Sequence, residues 1–213
     1  MKSAMKSTAA CAVLALAWPL GGQVATQANA RYQTVEGRKA VAAGLEAPGR
    51  EERHKPQDLV RAMGLRPGMT VVDVGTGVGY MLPFLSHAVG AVGRVIAEDT
   101  FDEYLAAARI RTANQQLTNV TFVKGTDQDL SLPEASADAV LVLDAYRHFD
   151  YPQEMLAGIH KALKPSGKLV IVEYYKTPAA MPNGDDVNHI RLNKPDVIKE
   201  IEANRFRLGS ERE

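Results

Sequence analysis

Ten residues, Val71 to Tyr80 (V-V-D-V-G-T-G-V-G-Y), constrain this chain more than any others. The valines around Asp73 form the short β-branched run expected of a strand covered on both faces, as in a parallel sheet. Gly75, Gly77 and Gly79 then let the chain turn and pass close to a ligand, because a residue without Cβ tolerates positive φ. A strand leading into such a turn is a nucleotide-site signature. The spacing is G-x-G-x-G and not the dinucleotide G-x-G-x-x-G, in which pyrophosphate rests on a helix N-terminus. A nucleoside ligand without phosphates is therefore expected.

Further along, short apolar runs alternate with helix-length segments. Asp58 to Met63 reads as a short helix stopped by Gly64, and Met81 to Val89 as a helix that tolerates Pro83 in its first turn. Arg94 to Glu98, Val120 to Lys124, Ala139 to Leu143 and Lys168 to Tyr174 read as strands two to five. Between strands two and three, Thr100 and Glu103 have capping-box spacing and open a helix to about Gln116, with Phe101, Tyr104, Leu105, Ala108 and Ile110 as its apolar stripe. This alternation implies right-handed crossovers and an α/β fold: a doubly wound, mostly parallel Rossmann-like sheet flanked by helices. Ligands of such sheets bind outside the carboxyl ends of the strands, at the switch point.

Length and charge bound the rest. At 213 residues, 46% hydrophobic and 23% charged, the chain has the make-up of one soluble domain. Formal net charge is zero, so no basic field exists to hold a phosphate backbone, and nucleic acid is disfavoured as a partner. Residues 1–30 read as a signal peptide: Lys2 and Lys6, an uncharged stretch from Ser7 to Leu20, and an A-x-A site ending at Ala30. Cleavage after Ala30 and export, to the periplasm of a bacterium, are the expectation, with no stable membrane span afterwards; the alternative is an uncleaved N-terminal anchor. Residues 31–57 form a polar lead-in of one or two helices over the site, and residues 58–213 the ligand-binding domain. The histidines show no close ligand pairing and no cysteines assist them, so no metal site is expected.

Acidic residues at strand ends carry the chemistry. Glu98 ends strand two, with Asp99 beside it, where a carboxylate commonly accepts ribose hydroxyls. Asp127 and its neighbour Gln128, after strand three, can accept a hydrogen bond from an exocyclic amine such as that of adenine. Asp73, inside strand one, is read as an organiser of the glycine turn or as a direct ligand contact. His54, with Arg53, is read as a solvated basic cluster or a contact to a ligand carboxylate.

These residues resemble the class I, Rossmann-like S-adenosylmethionine-dependent methyltransferases. Asp73, Gly75, Thr76, Gly77, Gly79 and Tyr80 match that family's first motif, Glu98 the acid ending strand two, and Asp127 the acid facing adenine. Asp144-Ala-Tyr-Arg-His-Phe-Asp-Tyr-Pro resembles the fourth-strand motif of the small-molecule branch, and Leu163-Lys-Pro-Ser-Gly the turn into strand five. The likeness is to bacterial methyltransferases that often carry signal sequences. It departs from the pattern at Arg147-His148, at Ser166 and at Pro83, and the segment after strand five has room for a short sixth strand but not for a seventh.

The resemblance implies S-adenosyl-L-methionine as cofactor and methyl transfer to a small-molecule or lipid-like acceptor. His148 is the candidate general base, with Tyr146 and Asp144 beside it as candidate catalytic residues and Asp144 also as a cofactor contact. The alternatives are that His148 and Phe149 cap and pack the next helix and that Asp144 caps a turn. His189 and the Pro178 to Gly184 loop are read as a lid region or as solvated loop. Two other functions stay open: a non-catalytic binding or scaffold protein of the same fold, and a protein isoaspartyl-type methyltransferase, which the Asp144 to Pro152 segment fits less well.

Overall fold

The computed structural model describes residues 23–181 and 186–212. The apolar core of the leader, and residues 182–184 of the expected lid, lie outside the described residues. Five strands form one parallel sheet: β1 (Thr70–Val74), β2 (Arg94–Asp99), β3 (Val120–Lys124), β4 (Ala137–Leu143) and β5 (Leu163–Val172). Their spatial order is β3-β2-β1-β4-β5. After β3 the chain crosses over β1 to lay down β4 on its other side. The switch point therefore lies between the carboxyl ends of β1 and β4, where the sequence placed the ligand.

Seven α-helices accompany the sheet among the described residues: α1 (Val35–Leu45), α2 (Arg50–His54), α3 (Pro56–Met63), α4 (Leu82–Val89), α5 (Asp102–Asn114), α6 (Pro152–Ala162) and α7 (Lys194–Ala203). Strand side chains alternate between faces, so each strand feeds two cores. Val72, Val74, Ile96, Val140 and Val142 pack with Leu156 and Ile159 of α6. Val71, Val95, Ala97, Ala139 and Leu141 pack with Leu82, Leu85 and Val89 of α4. Each fully buried aliphatic side chain contributes about 1.5–3 kcal/mol by transfer, so both faces of the sheet are fixed by burial alone.

Helix punctuation follows the sequence in α3 and α4. Gly64 caps α3 in the left-handed region at φ 63°, and Pro83 sits in the first turn of α4. The lead-in does form helices, with the Thr34 side chain capping α1 by accepting from the Gly37 N–H.

Three expectations need correction. Thr100 and Glu103 do not form a capping box: Phe101 is the N-cap of α5, its N–H donates to Asp99 Oδ1 at 3.0 Å, and Glu103 pairs with Arg38 instead. Ile110 is 63% exposed, because the buried face of α5 runs through Tyr104, Leu105, Ala108 and Thr112. The segment after β5 supplies α7 and an extended tail, and no sixth strand is seen among the described residues. Its Val197, Ile201 and Phe206 cover the α6-side core that a further strand would otherwise flank.

Candidate functional site

One bank of the crevice is the glycine turn. Asp73, 3% exposed, accepts from the Thr76 hydroxyl at 2.7 Å, so it anchors the turn from within the strand. Thr76 N–H donates to the Glu98 carbonyl at 2.9 Å, and Gly77 N–H donates to Asp99 Oδ2 at 2.8 Å. The turn demands glycine: Gly79 has φ 80°, and a Cβ there would lie 3.0 Å from the Ala108 Cβ and 3.2 Å from its Cα. Gly75 is equally confined, since a Cβ on it would meet the Ala145 Cβ at 2.8 Å. Side chains there would collide with α5 and with the segment after β4.

Neighbouring acids on a strand point to opposite faces. Asp99 shares its face with Val95 and Ala97 and grips the turn, whereas Glu98 shares the face of Ile96 and turns toward Gly125. Glu98 Oε2 is 3.4 Å from the Gly75 N–H, and its buried Oε1 has no hydrogen-bond partner. Both strand-end acids therefore reach the glycine turn, Asp99 at Gly77 by the shorter bond and Glu98 at Gly75 by the longer one. Burial pushes the Asp99 carboxyl up to about 6, against the pull of the backbone N–H groups of Phe101, Gly77 and Thr100. Burial likewise raises Asp73 to about 7, with the Thr76 hydrogen bond and Arg50 opposing.

Asp127 and Gln128 stay exposed in the loop after β3. That loop reaches the crevice through Gly125, whose N–H donates to the Asp99 carbonyl at 3.2 Å. Tyr80 closes the near end of the turn. Arg50 from α2 lies 4.3 Å above its ring, and the buried Tyr80 hydroxyl has no partner.

The opposite bank is built by the segment after β4. Asp144 adopts φ 55°, its N–H donating to the Val172 carbonyl at 2.8 Å. This left-handed step turns the chain into the 3-10 turn Tyr146–His148. Asp144 Oδ2 lies 2.6 Å from His54 Nε2, and His54 Nδ1 lies 3.1 Å from the Arg50 carbonyl. Both ring nitrogens therefore face acceptor oxygens. Their side chains are only 7% and 12% exposed, so His54 is not part of a solvated cluster. Arg147 pairs with Glu173 beneath this couple and lies 4.0 Å from Asp144. Burial works against the Arg147 cation, but Glu173 and Asp144 outweigh it and hold its pKa above the usual arginine value.

The same turn separates the other candidates. Tyr146 does not reach the crevice: it is 1% exposed, and its hydroxyl donates to Glu200 of α7 at 2.6 Å. That removes it from the candidate catalytic set. His148 does lie at the bank, its ring 4.9 Å from that of Tyr32 and 5.2 Å from that of His189. Burial lowers the His148 pKa well below its ordinary value, and Arg147 and His189 push the same way, all favouring the neutral ring.

Tyr32 joins the banks. Its ring stacks on Phe101, after β2, at 5.8 Å and meets His148, after β4, edge-on. Burial pushes its hydroxyl up to about 12, with Arg147 opposing and Asp99 and Asp144 adding. Sequence spacing missed Tyr32, Arg50 and the His54–Asp144 pair because they come from the polar lead-in. The only local signal there was a cluster of ring and cationic side chains just before Pro56.

The chain resembles known proteins in the same region. A family model described as a methyltransferase domain matches residues 72–171. The ubiquinone/menaquinone biosynthesis C-methyltransferase UbiE of a Marinomonas species is 32% identical over 114 residues, covering 53% of this chain and 45% of that protein. The protein of the same name from Shewanella oneidensis is 30% identical over 118 residues, 55% of this chain and 47% of its own length. The chain spans about half the length of these curated relatives. Over a longer stretch, the crystal structure of a SAM-dependent methyltransferase from Aquifex aeolicus superposes with a TM-score of 0.75 at 28% identity, covering 80% of this chain and 89% of that one. Taken with the glycine turn and the sheet order, these likenesses show a Rossmann-like methyltransferase fold, with the methyltransferase-domain match lying over residues 72–171.

Proposed function

We propose that this chain transfers a methyl group from S-adenosylmethionine to a small or lipid-like acceptor, with the donor on the glycine-turn bank and the acceptor against the post-β4 bank. One observation carries the reading: Asp99 holds the glycine turn on one side of the switch point, and neutral His148 faces it across Tyr32. The residues fit the donor. Asp99 offers carboxylate oxygens to a ribose diol, Gly77 and Gly79 permit close approach, and Asp127 suits the adenine amine. Arg50 supplies a cation for the methionine carboxylate, and the orphaned Tyr80 hydroxyl supplies a further donor beside it.

When bound, the sulfonium supplies an activated methyl group, whose C–S bond breaks as its bond to the acceptor forms. The chain's own residues align and deprotonate. Holding the acceptor in line removes about 7–11 kcal/mol of barrier, and His148 takes the acceptor's proton, a role worth about 10²–10⁴ in rate. Asp144, hydrogen-bonded to His54, lines the same bank.

The acceptor is inferred from the relatives named for quinone biosynthesis, which favour an electron-rich ring carbon of a hydroquinone. Incubating the full chain with S-adenosylmethionine and a short-chain demethylmenaquinol tests this: product heavier by one methyl, with S-adenosylhomocysteine formed, is expected. Donor binding without transfer to this or other phenolic acceptors would instead support a binding protein.

No helix among the described residues is long and apolar enough to cross a membrane. Lys2, Lys6 and the apolar stretch after them support export to the periplasm. N-terminal sequencing of the protein from its native cell identifies the processed end.

A further inference from the structure

The segment just before the expected cleavage point is docked on the post-β4 bank. Val24 N–H donates to the Asp150 carbonyl and Ala25 N–H to Asp150 Oδ1, each at 3.1 Å. Ala25 and Ala28 are 2% and 3% exposed. Asn29 makes the decisive contacts. Its Nδ2 donates to Asp150 Oδ2 at 3.0 Å and to the His148 carbonyl at 3.1 Å, while its Oδ1 lies 2.9 Å from His148 Nδ1.

These bonds determine the Asn29 amide orientation. With Nδ2 committed to two acceptors, Oδ1 can only accept, so the neutral His148 ring must carry its proton on Nδ1. The lone pair is then left on Nε2. An isolated neutral imidazole prefers no such arrangement strongly, and a partner on one nitrogen normally selects the tautomer.

We propose that Asn29 is a positioning residue for His148, fixing the Nδ1–H tautomer so that Nε2 can accept the acceptor's proton, and that the active chain therefore retains residue 29. This rests on the reading of His148 as the base. It also opposes processing after Ala30, which would strip His148 and Asp150 of these partners; an uncleaved leader, or cleavage upstream of the strap, keeps them.

The test compares the full chain with Asn29→Ala, Asn29→Asp and a chain beginning at Arg31. Nitrogen-15 spectra of the imidazoles, with His148 assigned by its loss in His148→Gln, should show Nδ1–H in the full chain. Asn29→Ala and the shortened chain should shift toward Nε2–H, and Asn29→Asp, which keeps an acceptor for Nδ1 but loses the donor to Asp150 and the His148 carbonyl, should restore Nδ1–H only in part. Methyl transfer to the demethylmenaquinol probe should fall about 10–100-fold in Asn29→Ala, the range for partners that orient an active imidazole. S-adenosylhomocysteine affinity should stay within about twofold, since the donor bank is untouched. An unchanged His148 tautomer in Asn29→Ala overturns the proposal. Absence of transfer by the full chain removes the base reading only, because the tautomer is read without turnover.

Discussion

The two banks of the crevice are assembled over different distances along the chain. The glycine-turn bank is local: Thr76 meets Asp73 three residues away, and Gly77 meets Asp99 across 22. The post-β4 bank is remote: His54 meets Asp144 across 90 residues, and Asn29 meets His148 across 119. The local bank is fixed once β1 and β2 pair, since the turn can then adopt little else. The remote bank exists only when the lead-in docks. A family that keeps one donor and changes acceptors is served by this division, because the variable half can be rebuilt without disturbing the fixed half.

The largest effect is expected where the remote bank is buried. Arg147→Ala leaves Glu173 and Asp144 without their cation, at a cost of about 3–5 kcal/mol, and thermal melting should fall by about 10 °C. A melt lowered by only a degree or two would mean that this bank is not held by the buried pair. Next, His148→Ala should lower methyl transfer about 100-fold while leaving donor-analogue affinity within about twofold, as steady-state kinetics and calorimetry together would show. Equal losses in both would break the division into banks.

On the local bank, Asp99→Ala should weaken S-adenosylhomocysteine about 30-fold, as expected for a lost charged hydrogen-bond acceptor. Glu98→Gln should change it less than about threefold, because an amide oxygen there can still accept from the Gly75 N–H. The reverse ranking would return the ribose contact to Glu98. A modest effect is expected with pH. Asp99, raised to about 6, must be ionised to accept from a diol, so donor affinity should drop about fourfold from pH 7.5 to 5.5. Stability of the ligand-free chain runs the opposite way. Carboxyls raised to about 6 and 7 favour the folded state fully below the unfolded carboxyl range, and that contribution is lost as pH rises through 6 to 7. Melting curves from pH 4 to 7.5 check the sign, and Asp73→Asn should flatten it.

Legibility in the sequence follows the same division. The strand runs, the helix stops at Gly64 and the Pro83 start of α4 are local signals, and they give the parallel sheet and its switch point. The motif residues of the glycine turn needed no distant partner to be recognised. Glu98 and Asp99 were harder, because a shift of one residue on a strand exchanges its faces. Tyr146 lies beside His148 in the sequence, but the left-handed step at Asp144 and the turn after it send its ring toward α7. His54 and Tyr32 act across about a third of the chain or more, and Arg50 reaches Tyr80 across 30 residues, where no period or spacing links a side chain to its partner. Asn29 was hidden differently: it is the middle residue of the A-x-A cleavage pattern, whose Ala28 is also buried in the fold.

A crystal structure of the full chain with S-adenosylhomocysteine tests the account most directly. The ribose is predicted to lie on Asp99, the methionine carboxylate by Arg50, and the sulfur facing His148 across the switch point. A ligand seated on Glu98, or with its sulfur turned away from the post-β4 bank, would contradict it.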